Sequence, residues 1–220
     1  MRIVATSDTH FPFDNRLIPD GDVFIHCGDL MYSGYPDEWY ARVESLKALP
    51  HKHKLIVPGN HDFHIQNYEG IARAELRRAG VKLLGMSTLF TEINGIKFAA
   101  VPYVTDLNGW AFNKEEDELA AYLERLSINE IAPHIMMTHA PIYRTLDSVN
   151  LHERDRMQKH RGSWAMNYWH ASMDKPPLHW FHGHIHESYG SEKNGRTMFH
   201  NVAMCDRAYD QVNPAIVVDL

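Results

Sequence analysis

The chain has 220 residues, 44% hydrophobic and 11% aromatic, and carries a formal net charge of -6. Such a chain suits one globular domain over residues 1–220, and its mild acidity argues against a protein that tracks nucleic acid by charge. Two cysteines give no disulfide framework, so Cys27 and Cys205 read as buried thiols, and no apolar run approaches the ~18 residues of a membrane span. The N-terminus enters a strand pattern at once. No signal peptide is expected, and the cytoplasm is the expected location.

In chain order, residues 2–6 form the first apolar run and lead into Asp8-Thr9-His10. Residues 23–27 repeat the pattern and lead into Gly28-Asp29. A helix is predicted over 36–49, with Pro36 just inside its start, Trp39, Val43, Leu46 and Leu49 on one face, and Pro50 after it. The run 54–57 precedes Gly59-Asn60-His61-Asp62, and a second helix over 69–79 closes on Gly80 before a short strand, 81–84. Residues 89–93 and 96–101 flank Asn94-Gly95, a dipeptide that favours a tight antiparallel hairpin. A helix over 114–126 has acids in its first turn, which suit the positive end of the helix dipole. The run 134–137 precedes Thr138-His139-Ala140-Pro141, a further helix is predicted over 163–173, and the run 178–181 precedes Gly183-His184-Ile185-His186. Tyr189, 198–203 and 216–218 read as antiparallel strands. Crossover-linked parallel strands in the first half and hairpins in the second suggest an α/β protein. Its strands would form a mixed sheet, or two sheets face to face with helices outside.

Five polar motifs thus each follow an apolar run. The carboxyl ends of strands in an α/β sheet open on one crevice, so motifs scattered along the chain converge in space. What converges is a set of carboxylates, imidazoles and a carboxamide, the ligand chemistry of a pair of divalent metal ions. The chain holds 16 histidines, and five of them, His10, His61, His139, His184 and His186, lie in these motifs. Most of the others read as solvated or packed imidazoles, with His64 and His160 as candidates for more. A lone Asp after a strand is more often a turn residue or helix cap. It is the coordination of the set that favours metal.

The five motifs, in this order, resemble the calcineurin-like metallophosphoesterase superfamily. That resemblance implies a four-layer fold, two mixed β-sheets packed as a sandwich flanked by helices, with a two-metal site at one edge. It implies one metal on Asp8, His10, Asp29 and His186 and another on Asp29, Asn60, His139 and His184, with Asp29 bridging. Mn2+ is expected first, with Fe, Zn, Co or Ni as alternatives. A hydroxide held between the cations would attack phosphorus. His61 resembles the family's non-ligand histidine, which donates to the leaving oxygen; a role in merely orienting a ligand is the plainer alternative. Asp62 would support His61 or cap the following turn.

A finer resemblance, carried by Gly109-Trp110-Ala111-Phe112-Asn113, residues 183–190 and the ending 212–220, is to the small branch near the class III cyclic nucleotide phosphodiesterases. Some members of that branch lack the first His of the G-H-x-H motif. This chain keeps it as His184, so a complete site is expected. The implied function is a phosphodiesterase acting on small diesters such as cyclic nucleotides. A phosphomonoesterase or protein phosphatase is the rival, weakened because Leu30 and Pro58 stand where the protein-phosphatase pattern carries Arg. A nuclease or a non-catalytic metal-bound regulator is weaker still. The expected partner is a small phosphodiester or nucleotide, with no membrane, no stable nucleic-acid partner, and a homo-oligomer left open. Residues 142–162 lack a clear period and hold five cations; a substrate loop and a solvated segment are equally good readings. Phe11, Phe13 and Phe63 flank the motifs and are candidates for packing on a base.

Overall fold

Strands that are apolar on both faces need cover on both sides, and this chain supplies it with two sheets and two helical layers. The computed structural model describes residues 1–11, 15–149 and 159–220. The first sheet contains β1 (Arg2–Thr6), β2 (Val23–His26), β3 (His53–Ile56) and β4 (Val81–Leu83), all parallel. The second contains β5 (Phe90–Ile93), β6 (Ile96–Val101), β9 (Ile135–Thr138), β12 (His179–His182), β13 (Gly190–Asn194) and β14 (Thr197–Asn201). Two short pairs complete the set: β7 (Val104–Thr105) with β8 (Asn113–Lys114), and β10 (Ser148–Val149) with β11 (Lys159–His160). A final strand, β15 (Ile216–Asp219), runs antiparallel to β1 at the edge of the first sheet.

Alternation within each strand assigns the layers. Ile3, Ala5, Val23, Ile25 and Leu55 of the first sheet meet Phe98, Ala100, Ile135, Met137 and Phe181 of the second, forming the interior of the sandwich. The opposite face of the first sheet, with Val4, Phe24 and Ile56, packs on α1 (Pro36–Ala48), α2 (Phe63–Asn67) and α3 (Glu69–Arg78) through Trp39, Leu46, Ile65, Ala72 and Leu76. The outer face of the second sheet, with Val101, Met136, Trp180 and Phe199, packs on α4 (Glu116–Glu124) and α6 (Trp164–Ala171) through Leu119, Leu123, Met166 and Trp169. A short α5 (Ile128–Ile131) adds Ile128 to that layer. The result is the expected four-layer sandwich.

Two expectations change. The helix expected over 114–126 is shorter, because Asn113 and Lys114 pair with β7 and a second helix begins at Ile128. The strand expected over 198–203 is antiparallel to β13 but parallel to β12, and β6, β9, β12 and β14 form a second parallel core. The second half is therefore built on crossovers as the first is, with hairpins only at its edges. At the motif end the sheets touch: Ser7 N–H donates to the Val202 carbonyl and Met204 N–H to the Ser7 carbonyl, both at 2.9 Å.

Candidate metal centre

Asp8, Asp29 and Asn60 follow β1, β2 and β3, whereas His139 and His184 follow β9 and β12. Both sheets end at the same edge, so the motifs meet across the seam between them. Asp8, His10, Asp29 and His184 all adopt the left-handed backbone region, with φ of 50°, 49°, 56° and 69°. Such values cost about 1–3 kcal/mol each for non-glycine residues and persist where surroundings enforce them. Two motif glycines make the approach feasible: a Cβ on Gly183 would lie 1.9 Å from Asp8 Oδ2, and one on Gly59 2.3 Å from Asp29 Oδ1. The glycines of G-N-H-D and G-H-x-H are thus contact points for carboxylates.

The imidazoles share one arrangement. Nδ1 of His10, His139 and His186 donates to the carbonyls of Met31, Cys27 and Asp206 at 3.2, 2.8 and 2.8 Å, and His61 Nδ1 donates to the Tyr32 carbonyl. Each bond fixes the tautomer and leaves Nε2 as the outward nitrogen. These nitrogens converge on the carboxylates. His186 Nε2 is 3.3 Å from Asp8 Oδ1 and 3.3 Å from His10 Nε2, while His139 Nε2 is 3.2 Å from Asp29 Oδ2. Asn60 Oδ1 lies 3.0 Å from His139 Nε2, and the His184 and His139 rings are 5.1 Å apart. Ligand atoms of Asp8, His10 and His186, and of Asp8, Asp29 and His139, lie within 4.8 Å of one another. All seven expected ligands are brought together.

The electrostatics call for cations. Burial opposes charge on both carboxylates, yet hydrogen bonding and charge from His186 and His139 hold Asp8 well below the usual carboxylate range. Asp29 is likewise held low against its burial, chiefly by His139. Burial also opposes charge on His139 and His186, but Asp29 and Asp8 override it and lift both to about 9. Buried carboxylates that stay ionised, ringed by oriented imidazole nitrogens, form a donor set that two divalent ions fit.

His61 Nε2 stands 3.9 Å from Asp29 Oδ2, and His10, Asp29 and His61 also fall within the 4.8 Å spacing of a metal group. Its ring packs 4.4 Å from Trp110 at the cleft wall. Asp62 stands at the N-cap of α2, where its carbonyl accepts from Ile65 and Gln66 N–H at 3.0 and 3.2 Å, but its side chain makes no cap bond and does not hold His61. Its carboxylate accepts the N–H groups of Asp29, Met31 and Gly59 at 3.0, 3.1 and 2.8 Å, so it clamps two motif loops together. Arg42 of α1, an ordinary helix residue by sequence, does similar work: it donates to the Leu30 and His10 carbonyls at 2.8 and 2.9 Å.

The cleft itself, about 270 Å³, is lined by Asp29, Asn60, His61, His184 and His186 together with Leu107, Trp110, Glu187, Arg207 and Tyr209. The last five were not singled out from sequence; Trp110 at least stood inside a recognisable stretch. Phe11 stacks on Tyr32 at 5.1 Å and Phe63 lies 6.2 Å from Trp110, both at this rim, and Phe13 lies outside the described residues. His64 is buried against Trp39 and does not line the cleft. Of the segment 142–162, residues 150–158 lie outside the described residues; Tyr143, Val149, His160 and Arg161 line a cavity that adjoins the metal cleft.

Comparison with known proteins agrees with this geometry. Residues 1–188 match the Calcineurin-like phosphoesterase family. Metallophosphoesterase domain-containing protein 1 of Homo sapiens is 30% identical over 243 residues, covering 100% of this chain and 71% of that protein. A UPF0046 protein of Caenorhabditis elegans is 29% identical over 239 residues, 100% of this chain and 81% of that one. Among solved structures, Phosphopantetheinyl Hydrolase (PptH) from Mycobacterium tuberculosis shares the fold with a TM-score of 0.59 at 16% identity, over 94% of this chain and 90% of that one. A Thermus thermophilus protein does so with a TM-score of 0.63 at 17% identity, over 99% of this chain and 98% of that one. A family match over most of the chain, on a sandwich whose seam gathers these carboxylates and imidazoles, means that the chain belongs to the calcineurin-like phosphoesterases.

Proposed function

We propose that this phosphoesterase is a phosphodiesterase of small diesters, cyclic nucleotides among them, with manganese as its working metal. One observation carries the diester reading: the metal cleft opens on two sides. On one side Tyr32, Phe63, Trp110 and Tyr209 line a space of about 390 Å³ with His61 in its wall. On the other, a space of about 570 Å³ shares Leu107, His184 and Glu187 with the cleft. An open diester carries a separate substituent on each side of phosphorus and fills both spaces, a cyclic nucleotide carries both ester oxygens on one ribose, and a monoester carries one substituent.

When bound, two divalent ions supply Lewis-acid polarisation of the phosphoryl group and acidify the attacking water. Asp8, His10, Asp29 and His186 would hold one, and Asp29, Asn60, His139 and His184 the other. His61, its Nδ1 tied to the Tyr32 carbonyl, would direct Nε2 at the leaving oxygen on the aromatic side and act there as the general acid. Trp110 against its ring limits the ring's movement and keeps water off that face.

A second reading has its own support. Arg207 lines the cleft, and a cation near the terminal oxygens favours a monoester dianion; Glu187 in the same wall opposes it. The test uses metal-stripped protein, each metal returned in turn, with bis-p-nitrophenyl phosphate against p-nitrophenyl phosphate and with 2′,3′- and 3′,5′-cyclic nucleotides. Faster diester turnover with Mn2+ is expected. A clear preference for the monoester with cyclic nucleotides untouched overturns the diesterase and leaves the metal-dependent phosphoesterase.

A further inference from the structure

The cavity on the His184 side is the larger of the two that flank the cleft, and its walls are built rather than incidental. Asp147 is buried and accepts from three donors: Arg144 N–H at 3.0 Å, Gly162 N–H at 2.9 Å and His160 Nδ1 at 2.7 Å. That bond fixes the His160 ring as a carboxylate fixes a catalytic or ligand imidazole, and leaves Nε2 as the free edge of a residue lining the cavity. Glu116, also buried, accepts from Thr105 Oγ1, Ser163 Oγ and Ala165 N–H at 3.0, 2.8 and 3.0 Å, tying β7 to the start of α6. Gly162 is packed so closely that a Cβ would lie 2.3 Å from the Ile142 carbonyl oxygen. The backbone behind the cavity is therefore held in place before any ligand arrives.

Two aromatic side chains, Tyr143 and Trp164, line this cavity, and Trp164 is exposed. Aromatic rings in a cavity wall offer faces on which a planar group can stack. Among the described lining residues, Arg161 stands against the carboxylates of Asp106, Glu116 and Glu187, which weighs against a second phosphate. An uncharged planar group with hydrogen-bonding edges suits such a lining; an anion does not.

We propose that this cavity is the nucleoside subsite, in which Tyr143, Trp164 and the Asp147-held His160 bind the base of the ester group that stays on phosphorus, remote from His61. The proposal rests on the diesterase reading and narrows it to nucleoside-bearing diesters. In an open diester the aromatic space beside His61 receives the leaving alcohol. Hydrolysis of thymidine 5′-p-nitrophenyl phosphate then places thymidine in the cavity: water adds its oxygen to phosphorus, the bond to p-nitrophenolate breaks, and thymidine 5′-monophosphate remains.

The experiment compares that ester with methyl p-nitrophenyl phosphate, which has the same leaving group and nothing to fill the cavity. Wild type is expected to prefer the thymidine ester in kcat/KM by at least about tenfold, the size of one base–aromatic contact. Tyr143→Ala, Trp164→Ala and His160→Gln should each erode that preference through KM while methyl ester turnover stays within about twofold. Retained methyl ester turnover also reports that each variant is folded. Equal losses on both esters, or an unchanged preference in all three variants, overturn the subsite. Binding of thymidine itself, followed by calorimetry with no turnover, is a second readout: wild type should bind and Trp164→Ala should bind about tenfold more weakly. A wild type inert to both diesters sinks the diesterase reading, and the thymidine titration then decides the subsite alone.

Discussion

Glu116 offers a direct test of how the second cavity is held. Its carboxylate receives four donors, Thr105 Oγ1, Ser163 Oγ, Ala165 N–H and, at 3.3 Å, Trp164 N–H. Two of these are first-turn N–H groups of α6, which have no partner inside the helix. Glu116→Ala removes all four bonds. Each buried N–H left without a partner costs about 1–1.5 kcal/mol, the two hydroxyls recover part of their loss from water, and losing a negative charge at the helix start costs about 0.5–1 kcal/mol more. The sum is about 4 kcal/mol. For a chain of this length that corresponds to a fall of roughly 12 °C in Tm. Glu116→Gln keeps one oxygen for the bonds to Ser163 and Ala165, which share Oε2, and its amide can donate to the Thr105 hydroxyl. Its cost is about 1.5 kcal/mol, or roughly 4 °C. Urea and thermal unfolding of the three proteins measure this. Two variants with wild-type midpoints would refute the reasoning. So would a Gln variant as unstable as the Ala variant, since charge rather than donor count would then decide.

Four further outcomes are expected. Asp29→Asn keeps the acceptor for the His61 N–H but removes the charge shared between the two expected metal positions, so at least one metal per chain and nearly all turnover should be lost by elemental analysis and assay. His61→Ala should keep both metals and slow turnover by about 10²–10⁴-fold, most for poor leaving groups; metal loss in parallel would make His61 a ligand. Arg42→Met strips a donor from the Leu30 and His10 carbonyls and should weaken metal affinity by about 10–100-fold in a competition titration while turnover at saturating metal changes less. Chelation should lower the unfolding midpoint, since free metal at 100 times its Kd stabilises the fold by about 2.7 kcal/mol; identical midpoints with and without chelator would contradict a resident metal.

What the sequence revealed of this fold and site divides along a physical line. Local signals carried far: apolar runs gave the motif-bearing strands, and the polar residues directly after them are the ones that converge at the cleft, because strand ends in parallel sheets share an edge. Helix ends drifted where tertiary pairing took over, as when β7 drew Lys114 out of the helix expected from its acidic neighbours. The direction of β14 was hidden because an apolar run does not show which neighbour it joins. The side-chain partners of Asp62 are hidden for the same reason. Two of its partners, Asp29 and Met31, lie 33 and 31 residues away, and spacing within its own motif cannot reveal them. Arg42 and Glu116 likewise look like unremarked helix residues until the sheets bring their acceptors and donors to them. Tyr209 and Arg207 follow the last motif by some twenty residues and reach the cleft only because the chain returns past the seam before entering β15.

The seam between the sheets gives the centre a property of its own. Asp8, His10, Asp29 and Asn60 ride on one sheet and His139, His184 and His186 on the other, so the expected ligand set would work as a calliper across the sandwich. Its jaws are set by the side chains between the sheets, among them Ile25, Phe98, Met137 and Phe181, none of which is an expected ligand. Sheets pack about 10 Å apart, and a shift of about 1 Å is enough to spoil a constellation of this kind. A change such as Phe98→Leu would therefore be felt first as altered metal preference and only second as lost stability. Bound metal, gripping both jaws, would in turn resist the sliding of one sheet over the other.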